Sequence, residues 1–199
     1  DDLPQALARL RGEPRKRQVR KRAIRQIPNA ITVLRILLVP LVIFLLIQAD
    51  SAWELWLAVF FFVLSAATDG VDGAIARRKN LVSKTGQLLD PIADKALLGA
   101  TLITLSSIGM VGWIPTLLII IRELLVTVYR LAVAKRRVIA ASSGGKLKTI
   151  IQSTAIPIVI APIEFLGDWV LVLNQLVIWV AVAVTLWSGF DFFRKQIGR

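Results

Sequence analysis
Apolar runs separated by short polar turns recur from about residue 30 to the end of this chain. They cover about 30–47, 53–77, 86–108, 113–134, 147–163 and 169–193. Each is close to the ~20 residues a helix needs to cross a hydrocarbon core of about 30 Å. The pattern predicts an all-α integral membrane bundle of six transmembrane helices. Before residue 28 the pattern changes to a polar, basic stretch with a broken apolar stripe of Leu3, Leu7, Leu10, Val19, Ala23 and Ile24. Residues 1–27 are therefore expected to form a basic amphipathic juxtamembrane arm, with a solvated, partly disordered basic tail as the alternative, and residues 28–199 the six-span domain. A helix of this kind can lie on anionic membrane lipids, each cation adding about 1 kcal/mol near the surface.

Charge then orients the bundle. The 25 Lys and Arg fall mostly in the arm, the 77–84 turn, the 135–148 loop and the 194–199 tail, leaving Arg35, Lys95, Arg122 and Arg130 inside or at the edges of spans. The 48–52, 109–112 and 164–168 turns hold no cation and carry Asp50, Glu164 and Asp168. The positive-inside rule places both termini in the cytoplasm, which needs an even number of spans. Trp53, Trp56, Trp113 and Trp169 fall near the opposite ends, as an interfacial aromatic belt would. With 56% hydrophobic residues the chain is too apolar for an ordinary soluble domain, so its net charge of +12 reads as membrane orientation. The arm lacks interleaved aromatics, so no nucleic-acid partner is expected. The chain opens on Asp1, as if a preceding segment had been removed.

Cysteine and histidine are absent, which excludes disulfides and thiolate metal sites and leaves a carboxylate, lysine or tyrosine as any general base. The stretch 68–95, TDGVDGAIARRKNLVSKTGQLLDPIADK, concentrates the carboxylates. At about 100° per residue, Asp69, Asp72, Gly73, Ala76 and Arg77 share an arc roughly 140° wide on one helix. Gly86, Asp90 and Asp94 fall within about 80° on the next. Four converging carboxylates would repel one another unless a cation sat among them, and Mg²⁺ commonly bridges such oxygens to substrate phosphates. Asp69, Asp72, Asp90 and Asp94 are the expected metal ligands of a site for phosphoryl chemistry.

Arg35, Arg122, Arg130, Lys146 and Lys148 fall on the same side of the bundle, some a few turns deep. Charges at that depth usually face a bundle interior or a water-filled cavity. Acids on one wall and bases on another suit a metal-bound phosphate donor and a second anionic substrate. Arg122 and Glu123 are adjacent, and neighbours at i, i+1 do not face each other on a helix, so they are not expected to pair. Arg130 either joins the cavity or snorkels to the interface. The Ser143-Gly144-Gly145 segment reads as loop.

The residues Asp69-x-x-Asp72-Gly73-x-x-Ala76-Arg77 and Gly86-x-x-x-Asp90-x-x-x-Asp94 resemble, at all eight fixed positions, the signature of the CDP-alcohol phosphotransferases. The likeness extends to Pro28-Asn29-x-x-Thr32-x-x-Arg35, Arg122-Glu123 and the 141–149 segment, which are similar to the bacterial branch whose acceptor is glycerol 3-phosphate. The resemblance implies transfer of a phosphatidyl group from CDP-diacylglycerol to glycerol 3-phosphate with release of CMP. It implies two divalent ions, Mg²⁺ or Mn²⁺, on the four aspartates, with Asp94 also the catalytic base. It places Asn29, Thr32, Arg35, Asp69, Asp72, Gly73, Ala76, Arg77 and Gly86 on the CDP-lipid, and Arg122, Arg130, Lys146 and Lys148 on the acceptor's phosphate. It further implies a homodimer in the bacterial cytoplasmic membrane, with the site facing the cytoplasm. Inositol phosphate or phosphatidylglycerol as acceptor are alternatives within the same chemistry. A cation transporter is a remote one, since it would place acids near the bilayer midplane and give Gly73, Ala76 and Arg77 little purpose.

Overall fold
A computed structural model describes residues 34–79, 84–133 and 143–197, with side chains at 69–94, 143, 144, 164 and 197 excepted. The described residues are all-α: α1 (Leu34–Ile47), α2 (Ala52–Lys79), α3 (Lys84–Ser107), α4 (Trp113–Val133), α5 (Ser143–Ile160) and α6 (Trp169–Ile197), with a short 3₁₀ turn at Glu164–Leu166 and no strand among them. The 1–27 arm, Asn29, Thr32 and the 135–142 loop lie outside the described residues.

Local chemistry sets the ends of these helices. Ser51 and Glu54 form a capping box at the start of α2, with Glu54 Oε2 accepting from the Ser51 amide at 3.0 Å and the Asp50 amide at 2.6 Å. At the end of α3, Gly109 takes φ +82°, which a side chain would strain. That turn lets the Met110 amide reach Leu105 O and the Gly109 amide reach Ser106 O, closing the last orphan carbonyls as a Schellman motif does. At the far end, α6 runs four residues past the predicted limit. Its last turns carry Arg194 and Lys195, and Lys195 pairs with Asp191 at 2.6 Å.

The largest helix contact is α5 on α6, followed by α4 on α6 and α2 on α5. Leu102, Leu105, Ile119, Ile156, Ile160 and Phe62 are fully buried where the helices meet. Small polar side chains accompany them: Ser106 and Thr116 tie α3 to α4 at 2.7 Å, and Gln152 donates to Thr185 Oγ1 across α5 and α6 at 2.7 Å. Small and hydroxylated residues at helix contacts suit a bundle in lipid, where close approach and hydrogen bonds replace the hydrophobic drive.

The exterior is apolar. Ile114, Leu117, Ile121, Leu125, Val128 and Leu131 form a continuous exposed face along α4, and Leu171, Leu176, Val180 and Phe190 do the same on α6. Trp53, Trp113 and Trp169 stay exposed at the starts of α2, α4 and α6. Soluble monomers rarely leave such faces to water. By length and composition, α6 (Trp169–Gln196) is the helix among the described residues that passes for an uninterrupted apolar span. Charge interrupts α4, which carries Arg122, Glu123 and Arg130 within 21 residues. The sequence of α2 carries Asp69 and Asp72, and that of α3 carries Asp90 and Asp94.

Candidate active site
The acids lie on α2 and α3. α2 is helical through Asp69, Asp72, Gly73, Ala76 and Arg77, and α3 through Gly86, Asp90 and Asp94. Four residues join Lys79 to Lys84, and the two helices touch. At 1.5 Å per residue, Asp69 and Asp94 each stand about 15 Å along their helices from this joint. Asp72 and Asp90 stand about 10 Å from it. Counted along their helices, the four aspartates are matched two by two in distance from the joint. Their side chains, with those of Gly73, Ala76, Arg77 and Gly86, lie outside the described residues.

One residue below Asp94 the side chains form a buried ion cluster. Glu123 Oε1 lies 2.6 Å from Lys148 Nζ and 3.0 Å from Arg122 Nη1, while Glu123 Oε2 lies 3.4 Å from Lys95 Nζ. Three helices contribute: α3 gives Lys95, α4 gives Arg122 and Glu123, and α5 gives Lys148. Arg122 Nη2 also donates to Ser188 Oγ of α6 at 2.9 Å. Among the described side chains, three cations share this one carboxylate.

The pairing of Arg122 with Glu123 corrects the sequence expectation. Adjacent Cβ atoms do diverge around a helix, but both side chains are long and both are buried. With Lys148 drawing Glu123 inward, no solvent competes for Arg122, and its guanidinium folds back onto the carboxylate. The site residue missed by sequence reasoning was therefore Glu123, together with Ser188. The signal available for Glu123 was an acid deep in an apolar span, which is costly unless paired.

The four expected acceptor-side cations separate. Arg122 and Lys148 join the cluster. Lys146 is exposed, because two residues along a helix turn the side chain by about 200°. Arg130 lies about 12 Å further along α4 and rests over the Phe192 ring at 5.2 Å. Phe192 in turn packs edge-on with Tyr129 and Phe193. Arg35 of α1 is buried at 2% exposure. The helix α5 also begins at Ser143, absorbing the expected Ser143-Gly144-Gly145 loop. The two glycines cost helix propensity, about 1 kcal/mol each. The Lys148 ion pair and the Gln152 hydrogen bond, both in the first three turns, tie this end of α5 to α4 and α6.

A narrow cavity of about 30 Å³ adjoins the cluster, lined by Phe62 and Ala66 of α2, Leu97 and Leu98 of α3, and Lys148, Thr149, Gln152 and Ser153 of α5. Ala66 lies one turn before Asp69 and Leu97 one turn after Asp94. The void therefore reaches from the cation wall toward the level of the acids.

A helical bundle, apolar outside and ionic within, is the build of a membrane enzyme that handles an anionic substrate. The family model of the CDP-alcohol phosphatidyltransferases matches residues 25–187. A probable phosphatidylglycerophosphate synthase of Mycobacterium tuberculosis is 37% identical over 188 residues, covering 93% of this chain and 88% of the relative. CDP-diacylglycerol–glycerol-3-phosphate 3-phosphatidyltransferases of Rickettsia typhi and Bacillus subtilis are 36% and 34% identical, covering 86% and 85% of this chain and 97% and 94% of theirs. The chain belongs to the CDP-alcohol phosphatidyltransferase family. It is a membrane transferase of phospholipid biosynthesis.

Proposed function
We propose that this enzyme transfers the phosphatidyl group of CDP-diacylglycerol to glycerol 3-phosphate, giving phosphatidylglycerophosphate and CMP. The observation that carries the acceptor is the Lys95–Glu123–Arg122–Lys148 cluster, which begins one residue from Asp94 and in which, among the described side chains, three cations share one carboxylate. A phosphate monoester brings further negative charge to those cations. The relatives named as using glycerol 3-phosphate match along most of their length.

Asp69, Asp72, Asp90 and Asp94 fit a pair of Mg²⁺ or Mn²⁺ ions, since all offer hard oxygen donors and lie at matched distances from the joint of two helices that touch. Bound there, the ions would neutralise the diphosphate and stabilise the entering and leaving oxygens. Asn29, Thr32, Arg35, Gly73, Ala76, Arg77 and Gly86 line the nucleotide side in this reading. Small residues let the cytidine approach the backbone, and Arg77 offsets phosphate charge. Arg122 and Lys148 hold the acceptor's phosphate, so that its hydroxyl points to Asp94. Asp94 takes the hydroxyl proton as the oxygen bonds to the β-phosphorus, and the bond from that phosphorus to CMP breaks, CMP keeping the electron pair. Alignment of the two substrates supplies much of the rate.

In the membrane, all six helices span, both termini face the cytoplasm, and the acids open to cytosolic substrates in a bacterial inner membrane. The 1–27 arm lies on anionic lipids, and the protein works as a homodimer. The test is CMP release from CDP-diacylglycerol in proteoliposomes, with glycerol 3-phosphate or inositol phosphate, and with or without EDTA. Release should need glycerol 3-phosphate and stop with EDTA until Mg²⁺ or Mn²⁺ is restored. Equal release with inositol phosphate would overturn the acceptor, and EDTA-resistant release the metal site.

A further inference from the structure
Arg122 owes its place to a residue that is not there. A Cβ built on Gly189 of α6 would stand 3.0 Å from Arg122 Nε and 3.1 Å from Arg122 Cγ. The Arg122 stem therefore lies directly across the bare Cα of Gly189. The next residue back, Ser188, is 1% exposed and accepts from Arg122 Nη2 at 2.9 Å. Together with Glu123 at 3.0 Å, these contacts fix the guanidinium plane. Its Nε has no hydrogen-bond partner and is held by fit alone.

We propose that Gly189 and Ser188 are positioning residues for acceptor recognition, seating Arg122 so that its guanidinium meets the phosphate in one fixed orientation. The proposal rests on the reading that the Arg122 cluster receives that phosphate. Neither residue belongs to the acid-bearing segment, and α6 is otherwise an apolar span. Beside the seat runs an open groove of about 220 Å³ between α4 and α6, lined by Leu118, Ile121, Leu125, Leu186 and Phe190 as well as Arg122 and Gly189. A methyl group on residue 189 would press on the Arg122 stem at Nε and Cγ, so the side chain must give by a few tenths of an ångström. That shift disturbs the seat that Glu123 and Ser188 hold.

Gly189→Ala is a discriminating variant, since alanine favours the helix that glycine weakens. In the full-length enzyme in proteoliposomes, Gly189→Ala should raise the glycerol 3-phosphate KM about tenfold, the worth of one charge-assisted hydrogen bond. The CDP-diacylglycerol KM should change by less than about twofold. Ser188→Ala, which keeps the space and loses only the hydroxyl, should shift the acceptor KM in the same direction by less. Acceptor KM unchanged in both variants, with Arg122→Ala still selectively raising it, would overturn the positioning role and leave the acceptor site standing. If Arg122→Ala changed both KM values alike, the phosphate reading would fall, and this proposal with it.

Discussion

Lys148 Nζ lies 2.6 Å from Glu123 Oε1 across the meeting of α5 and α4, with the two side chains 11% and 9% exposed. A single carboxylate there gathers cations from three helices. Among the described side chains, that carboxylate holds all three of them in place. Buried ion pairs are weak contributors to net stability, because desolvation opposes the attraction. What this one supplies is placement.

Lys148→Met should therefore be tolerated in folding, since Arg122 and Lys95 remain to pair Glu123. Its effect should fall on the acceptor. Loss of a charged donor worth about 1.5–3 kcal/mol raises the glycerol 3-phosphate KM about 10- to 100-fold. Steady-state kinetics with each substrate varied in turn would check this, and an equal rise for CDP-diacylglycerol would remove Lys148 from the acceptor side.

Glu123→Gln should behave differently, leaving three buried or half-buried cations without a counter-charge. Breaking a buried pair by removing one partner costs about 3–5 kcal/mol. A lowered melting temperature in lipid nanodiscs is expected. Added glycerol 3-phosphate should restore more stability to the variant than to the parent enzyme, because a ligand that supplies the lost charge binds the folded state. No loss of stability would show that the cations find other partners.

Asp94→Asn should abolish turnover and leave CDP-diacylglycerol binding largely intact, since the amide cannot take the proton. The checks are single-turnover CMP release and equilibrium binding of the CDP-lipid. Normal turnover would show that another group is the base.

Arg130→Ala should raise the glycerol 3-phosphate KM more than the CDP-diacylglycerol KM. Phe192→Leu should act in the same direction but less, because the ring contact at 5.2 Å is worth about 0.5–2 kcal/mol. Equal effects on both KM values would place Arg130 outside the acceptor's path and leave it an anchor of α4 on α6.

Much of the fold was legible because the bilayer imposes one strong rule, that every backbone polar group be satisfied within a helix. Apolar length and turn chemistry then mark each element. The starts of α4 and α6 fall on the predicted Trp113 and Trp169, and α2 starts one residue early, where Ser51 and Glu54 cap it. The helices that the sequence placed less well are α5 and the end of α6. There, long-range contacts of Lys148 and Gln152 hold glycines in a helix, and a Lys195–Asp191 pair extends the last turns. Local propensity contains neither effect.

The sequence alone determined that Asp69, Asp72, Asp90 and Asp94 share two helices, because spacing along one chain fixes angle and height on a helix. It also set them at matched distances, counted along their helices, from the short joint between them. Only the tertiary structure decided that Lys95, Arg122 and Lys148 meet on Glu123, that Lys146 does not, and that Gly189 makes room for Arg122. The reason is physical. Periodicity says which way a side chain leaves its own helix, and nothing in it says which residue of another helix will be waiting there.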